Sequence, residues 1–474
     1  KGPSLYNPRR NPNNATKRRN LVLGVLNRSN KISDSELETL KSKDLGISSP
    51  NYRTETKHPA FHDIVRLELQ KNFNERELRT KGLAIETNLD PVLQNSLEKS
   101  LIETKKQLIK KYGSKLSDLQ GAAIAVDTSN GEVRAVVGST QPSSYGFNRS
   151  INAIRPIGSL VKPFIYLTAL NQYEDYNLTT ILDDSKFSMM SGGKIWEPDN
   201  FDKKFHGEIP LHVALWQSYN IASARLGLEV GFDKVENMFL NLGINKQVPS
   251  YPSLFIGSFE LSPYEAIQAY QTIAADGFYS PLRSIRQIKD TKGEIEFSYP
   301  YSIEQRIRPE PAALLKFAMR QTFERGTARG YSTKKINSWN AGGKTGTSDD
   351  QRDSWFVGFA GEVLVLVWLG FDDNRQTPLT GRTGAFQVWK NFINDINPVK
   401  GGRTSLPRIE YVWTDMKDGL LSGEKCKNSI LVPFIKGTEP KIIPDARRKC
   451  STKKKIVSDS VIDKLKEVFE GGQD

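Results

Sequence analysis

A serine nucleophile needs a base beside it, and this chain is short of the usual one. Only four histidines occur. His58 and His62 fall in a linker-like region and lack the Glu of a zinc-protease helix, while His206 and His212 flank a predicted loop. No Gly-x-Ser-x-Gly elbow is present, so a conventional Ser-His-Asp triad is not expected. Lysine can replace histidine when burial and neighbouring cations lower its pKa. Ser-x-x-Lys on a helix puts both groups on one face about 5 to 6 Å apart. That pattern begins at Ser96, Ser159, Ser191, Ser332, Ser422 and Ser451, so spacing alone selects nothing. Only Ser159-Leu160-Val161-Lys162 has a glycine directly before it and a long apolar run after it, which would set the hydroxyl at the positive end of a buried helix. Ser-x-Asn is as common, at Ser49, Ser150, Ser218 and Ser338. Lys344-Thr345-Gly346 occurs once, between Gly342-Gly343 and Thr347.

The elements needed to position these groups are legible around them. Gly158 precedes Ser159, and Phe164, Ile165 and Leu167 to Leu170 continue at helix length. Upstream, Asp90 offers an N-cap, Pro91 a first helical position and Gly113 a stop, bracketing a helix with Leu93, Leu97, Leu101 and Leu108 on one side. Gly121 to Asp127 and Glu132 to Gly138 read as a hairpin around Asn130-Gly131. Ser262-Pro263-Tyr264-Glu265 has the form of a capping box, and Gly277 closes that helix. Phe356 to Phe359 and Val363 to Phe371 suit central strands. Short helices are expected at Asn20 to Leu26 and Asp34 to Leu40, after a loop at Pro8 to Asn13. A last helix should carry Val457, Val461, Leu465, Val468 and Phe469 on one face. Trp355 reads as a packing residue, and Arg352 and Asp353 as loop charges or, being close in sequence to Lys344, as part of a site rim.

Composition sets the outer limits. At 474 residues, two or three compact units are expected. The hydrophobic share of 37% is enough to bury a large core, which argues against wholesale disorder. The longest apolar stretch is about half the ~20 residues of a membrane-spanning helix, so no span is expected. Sixty-seven basic and 54 acidic residues leave +13, with eight Lys or Arg and no acid in residues 1 to 33. Such an arm attracts anions, but without zinc-finger spacing or an RNA-recognition signature, nucleic acid is not expected as a partner. Cys426 and Cys450 could form a disulfide staple in an oxidising compartment or remain reduced surface thiols; two cysteines without nearby histidine do not make a zinc site, and no metal is expected.

Taken in order, Ser159 to Lys162, Ser218 to Asn220 and Lys344 to Gly346 reproduce the three-part signature of penicillin-binding proteins and serine β-lactamases. From about Gly82 to Trp389 the chain resembles the transpeptidase domain of class A, bifunctional penicillin-binding proteins. Asn148-Arg149, Trp196-Glu197-Pro198-Asp199-Asn200, Leu261 to Gly277, Gly326-Thr327-Ala328 and Trp355-Phe356-Val357-Gly358 add to the likeness. The resemblance implies a mixed α/β fold, with an antiparallel sheet between helices on both faces. It also implies a domain order: 1–35 the tail of a glycosyltransferase domain, 36–95 a linker region, 96–398 the transpeptidase domain, and 399–474 a small basic C-terminal domain whose two cysteines resemble those of Gram-negative members. The membrane anchor, accessory domain and glycosyltransferase active site of such proteins are expected ahead of this stretch.

The roles the resemblance implies are specific. Ser159 attacks the carbonyl between two terminal D-alanines, and Lys162, neutral at that moment, takes its proton. Ser218 relays the proton to the leaving amine, Asn220 holds the peptide amide, and Lys344 sets the positive field. Backbone N–H groups of Ser159 and Thr347 form the oxyanion hole. Thr345 and Thr347 receive the terminal carboxylate, and Gly346 leaves room for an extended peptide along the strand. No cofactor is implied. Stem peptides and β-lactams are the expected ligands, and cell-wall synthesis and division proteins, or a second copy, the expected partners, at the periplasmic face of the inner membrane. The alternatives are a D,D-carboxypeptidase, a noncatalytic penicillin-binding sensor, and a β-lactamase. For the last, Glu236 is the nearest deacylating base, one residue off the Glu-x-x-Leu-Asn spacing.

Overall fold

The computed structural model describes residues 2, 4–47, 57–143, 145–331, 333–399, 406–448 and 450. The chain divides into two compact units, Lys1–Lys57 and His58–Asp474. In the first, α1 (Pro12–Arg28) and α2 (Asp34–Ser42) form a helical pair. The Arg19 guanidinium donates to the carbonyls of Lys41, at 2.9 Å, and Lys43. The α1 helix starts at Pro12, inside the stretch expected to be loop, because proline at the first helical position has no N–H to lose.

The second unit begins with α3 (Pro59–Leu69) and α4 (Pro91–Tyr112). Asp90 caps α4 by accepting from the N–H groups of Val92 and Leu93 at 2.9 and 3.1 Å. The boundaries expected at 35/36 and 95/96 both fall inside helices. Phe61 and Ile64 of α3 and Leu97, Leu101 and Leu108 of α4 are core residues, so the stretch after His58 is folded with the large unit and is not a spacer.

The centre is a five-stranded antiparallel sheet. Its strands are β1 (Gln120–Asp127), β2 (Val133–Val137), β3 (Gly342–Thr347), β4 (Asp353–Ala360) and β5 (Val363–Gly370), in spatial order β3-β4-β5-β1-β2. Both faces are buried, which is why these strands read as continuous apolar runs and not as alternating ones. Trp355, Val357, Leu364, Leu366, Trp368, Ala122 and Ile124 point into one core. Phe356, Val365, Val367, Leu369, Ala123 and Ala125 point into the other. The first core is filled by α5 (Lys162–Leu170), α6 (Leu211–Gln217), α7 (Asn220–Val230), α8 (Pro263–Ala274) and most of α9 (Pro309–Glu324); the second by α4 and α10 (Ala385–Ile396).

The Asn-Gly turn joins β1 to β2, and the capping box of α8 is present, with the Glu265 carboxylate accepting from the Ser262 N–H at 2.8 Å. In the C-terminal region β6 (Ile409–Asp415) pairs with β7 (Ser429–Ile435). Val432 and Phe434 join the first core, so this segment packs as part of the same unit. The expected helix at Val457 to Phe469 lies outside the described residues.

Candidate active site

The nucleophile candidate sits on a turn held from three sides. Gly158–Val161 is a single 3-10 turn leading straight into α5, so Ser159 and Lys162 are one turn apart. The Trp355 indole N–H donates to the Pro156 carbonyl at 3.0 Å, the Tyr270 hydroxyl to the Leu160 carbonyl at 2.7 Å, and the Gly158 N–H to the Gly257 carbonyl at 3.0 Å. Gly158 has φ +53°, and a Cβ there would lie 2.5 Å from the Thr347 carbonyl oxygen. A side chain at 158 is therefore excluded, and the turn lies directly against the end of β3. The Ser159 hydroxyl is partly exposed and hydrogen-bonds to no described residue.

Lys162, Ser218, Asn220 and Lys344 form one hydrogen-bonded cluster. The Lys162 ammonium donates to Asn220 Oδ1 at 2.6 Å, to the Ser218 carbonyl at 2.5 Å and to Ser218 Oγ at 3.3 Å. From the opposite side the Lys344 ammonium donates to Ser218 Oγ at 2.8 Å and to the Thr345 carbonyl at 2.9 Å. Ser218 closes α6 in the left-handed region, φ +64°, and Asn220 opens α7, so the two helices present this pair at their junction.

Both lysines are fully buried, where neither was required to be by sequence. Burial first, and then the nearby Lys344 charge, push Lys162 well below the ordinary lysine range, while Asp184 pulls the other way. Burial alone brings Lys344 down to about 7. A lysine with such a depressed pKa is a competent proton acceptor near neutrality.

Lys344 pairs with Val357 and Gly346 with Trp355, so both face the first core together with the Ser159 turn. A Cβ at Gly346 would lie 2.9 Å from both Leu160 Cγ and Trp355 Cβ and 3.0 Å from the Ile157 carbonyl. The glycine is thus needed for the nucleophile turn to pack on β3. β3 is also the edge strand of the sheet. Thr345 and Thr347 point to the opposite face. The Thr345 hydroxyl is 2.6 Å from that of Thr327, and Thr347 Oγ1 accepts from the Gly381 N–H at 3.0 Å.

Ser96-x-x-Lys99 lies on α4 with Lys99 facing Asp395, and Ser191-x-x-Lys194 spans a small hairpin. Glu236 lies on the helix Phe232–Asn241 and has no recorded bond to the cluster. His212 is buried, with its ring Nδ1 2.5 Å from the Leu178 carbonyl, and burial takes it down to about 4, so it is a packed helix residue. Asp353 is not a loop charge: it opens β4, is buried, and accepts from the Trp368 indole at 2.9 Å and from Ser348 Oγ at 2.7 Å. Cys426 and Cys450 are joined by a disulfide, with Cα atoms 5.3 Å apart. Sequence reasoning missed Asp184, His206 and Thr327 as site neighbours. Only for Thr327 was there a nearby signal, the Gly326-Thr327-Ala328 element.

Comparison with known protein families matches residues 121–376 to the penicillin binding protein transpeptidase domain. The chain belongs to that family. It is 39% identical over 416 residues to penicillin-binding protein 1B of Vibrio cholerae serotype O1, covering 87% of this chain and 52% of that protein. With penicillin-binding protein 1B of Escherichia coli K12 it shares 36% over 403 residues, 84% of this chain and 47% of the relative. The chain therefore spans about half the length of the curated relatives it matches. Its fold superimposes on penicillin-binding protein 1A of Haemophilus influenzae with TM-score 0.77 and 22% identity, covering 92% of this chain and 84% of that one. The large unit thus contains a transpeptidase domain of the penicillin-binding type. Among the described residues no helix is long and apolar enough to cross a membrane.

Proposed function

We propose that this domain forms peptide cross-links in peptidoglycan through a Ser159 acyl-enzyme. The observation that carries the reading is the buried cluster in which two lysines share one serine hydroxyl, set beside an unengaged serine one turn away. Ser159 Oγ attacks the carbonyl between the terminal D-alanines, and its proton passes to neutral Lys162. The Oγ–C bond forms, a tetrahedral oxyanion develops against the N–H groups of Ser159 and Thr347, and the C–N bond breaks. Ser218, between the lysines, returns the proton to the departing D-alanine amine. An acceptor amine from a second stem peptide then attacks the ester carbonyl and gives up its proton to the same base, the C–Oγ bond breaks, and the base returns a proton to Ser159 Oγ. Asn220 and the Thr345–Thr347 strand hold the donor peptide, Lys344 favours the developing negative charge, and the chain's own residues supply every proton transfer.

A β-lactam presents a strained amide to the same serine and stays as an ester. In the longer protein, lipid II polymerisation by a glycosyltransferase domain is expected from the family, with residues 1–35 as its tail and a membrane anchor ahead of it. The disulfide suits the periplasmic face of the inner membrane.

The test is the mass of the penicillin adduct. Incubation with benzylpenicillin should add one acyl group to the peptide bearing Ser159, and Ser159→Ala should capture none while melting at the same temperature. An adduct elsewhere, or persistent labelling of the variant, overturns the assignment.

A further inference from the structure

Behind the Ser218–Asn220 turn lies a polar cluster that the acylation scheme does not use. Asp184 is fully buried. Its Oδ1 accepts from the Ala222 N–H at 3.0 Å, and its Oδ2 faces Asn200 Nδ2 at 2.6 Å, the His206 ring Nδ1 at 2.7 Å and the His206 N–H at 3.3 Å. Asn200 Oδ1 in turn accepts from the N–H groups of Asn220 and Ile221, at 2.6 and 3.3 Å, capping α7 where the site begins. The His206 ring lies flat on Tyr219, with centroids 3.8 Å and planes 17° apart, and its Nε2 is 3.1 Å from Asp202.

Tyr219 stands between the two residues that hold the Lys162 ammonium. Ser218 is also in a left-handed conformation, which a non-glycine residue keeps only where its surroundings over-determine it. Tyr219 meets His206 directly, and the Asp184–Asn200 anchor of α7 meets it through Asp184. His206 hydrogen-bonds to none of Ser159, Lys162 and Lys344, so its influence passes through these neighbours. A sub-ångström movement of the turn would lengthen the 2.6 Å Lys162–Asn220 bond and the 2.8 Å Lys344–Ser218 bond together.

We propose that His206 is a positioning residue for acylation, holding Tyr219 and Asp184 so that Ser218 and Asn220 stay aligned on Lys162. The inference rests on the Ser159 acyl-enzyme reading. It predicts a particular kinetic split, because the contacts of His206 run to Asp184, Asp202 and Tyr219 and not to Ser159 or either lysine. In stopped-flow acylation by a fluorescent penicillin, His206→Ala should lower the acylation rate constant about tenfold and leave the pre-covalent dissociation constant within about twofold. His206→Asn keeps a donor for Asp184, and His206→Phe keeps the ring on Tyr219. Each should recover part of the rate at an unchanged melting temperature, a pattern that simple loss of folding does not give. Should His206→Ala fail to fold, the Asn and Phe variants decide: slowed acylation in both supports the role, and wild-type rates in both overturn it. If wild-type protein takes up label and His206→Ala takes it up equally fast, this inference alone falls. A wild-type protein that takes up no label overturns the acyl-enzyme reading and this one with it.

Discussion

Replacing Lys344 with methionine removes one of two buried cations while keeping most of the apolar stem, and the consequence for Lys162 can be worked out in sign and size. Ser218 Oγ accepts from Lys344 at 2.8 Å and from Lys162 at 3.3 Å, so the two nitrogens lie within about 6 Å of each other. Two unit charges at about 6 Å repel by about 3 kcal/mol at an effective dielectric of about 20, equivalent to about two pH units. Lys162 is held low first by burial and second by Lys344. The variant removes only the second cause, so the Lys162 pKa rises but stays below the ordinary lysine range. Since the neutral amine is the form that accepts the Ser159 proton, the acid limb of the acylation profile should move upward by as much as about two pH units, and below that limb the rate should fall by up to about 100-fold. The assay is the second-order rate constant for a fluorescent penicillin measured from acidic to alkaline pH on both proteins. The change in the high-pH plateau, where Lys344 is largely neutral, reports what its amine contributes as a hydrogen-bond donor, separately from the limb. A limb that stays in place, or moves to lower pH, refutes the claim that Lys344 sets the charge state of Lys162.

The same substitution should stabilise the fold in a pH-dependent way. Lys344 titrates at about 7 when folded and near 10.5 when unfolded, so between those values the unfolded chain binds more protons and stability rises with pH. The cost of burying the lysine is fully present below about 7 and gone above about 10.5; Lys344→Met removes it, raising stability on the order of several kcal/mol at low pH against a pH-independent loss of two hydrogen bonds. The melting-temperature difference between variant and wild type should therefore be more positive at pH 6 than at pH 10, and an equal difference at both contradicts the burial argument. Gly346→Ala forces a methyl group to 2.9 Å from Leu160 and Trp355, so it should cost about 1–3 kcal/mol and slow acylation by more than about tenfold by moving the Ser159 turn off β3. Wild-type acylation in that variant means the turn gives way freely.

Local chemistry was readable wherever its signal spans a few residues. The Asp90 cap, the Asn-Gly turn and the Ser262–Glu265 capping box each depend on partners within about four positions, and each reappears in the structure. The three active-site motifs were readable as a set because the resemblance ties them together over the span from Ser159 to Gly346, which no local rule connects. What stayed hidden depends on pairing register. Asp353 reads as a loop charge until β4 pairs with β5, which brings Trp368 over its carboxylate. Asp184 and His206 are ordinary loop residues until a short antiparallel pairing of Ile181–Asp183 with Glu208–Pro210 sets them side by side. The packing role of Gly346 stayed hidden because a sequence does not say which face of a strand the missing side chain would occupy. The register against Trp355 does, and it points the glycine at the nucleophile turn.

The site is assembled where the backbone and the charges are least comfortable. Gly158 and Ser218 both have positive φ, and Lys162 and Lys344 are both fully buried. Such features persist only if the surroundings hold them more strongly than they strain. Here the restraint comes from groups that do no chemistry: Trp355 and Tyr270 fix the carbonyls on either side of Ser159, and Asn200 and Asp184 fix the first N–H groups of α7. Lys162, Ser218 and Asn220 are thereby held to one another before a substrate arrives, while the Ser159 hydroxyl stays free of them. Burial depresses the lysines and the anchored turns stop them from escaping to solvent, so the pKa shift and the geometry have one cause. Loosening an anchor should let water in, raise the lysine pKa values and misalign the acceptor together, which is why substitutions at positions that never touch a peptide should register first in the rate of acylation.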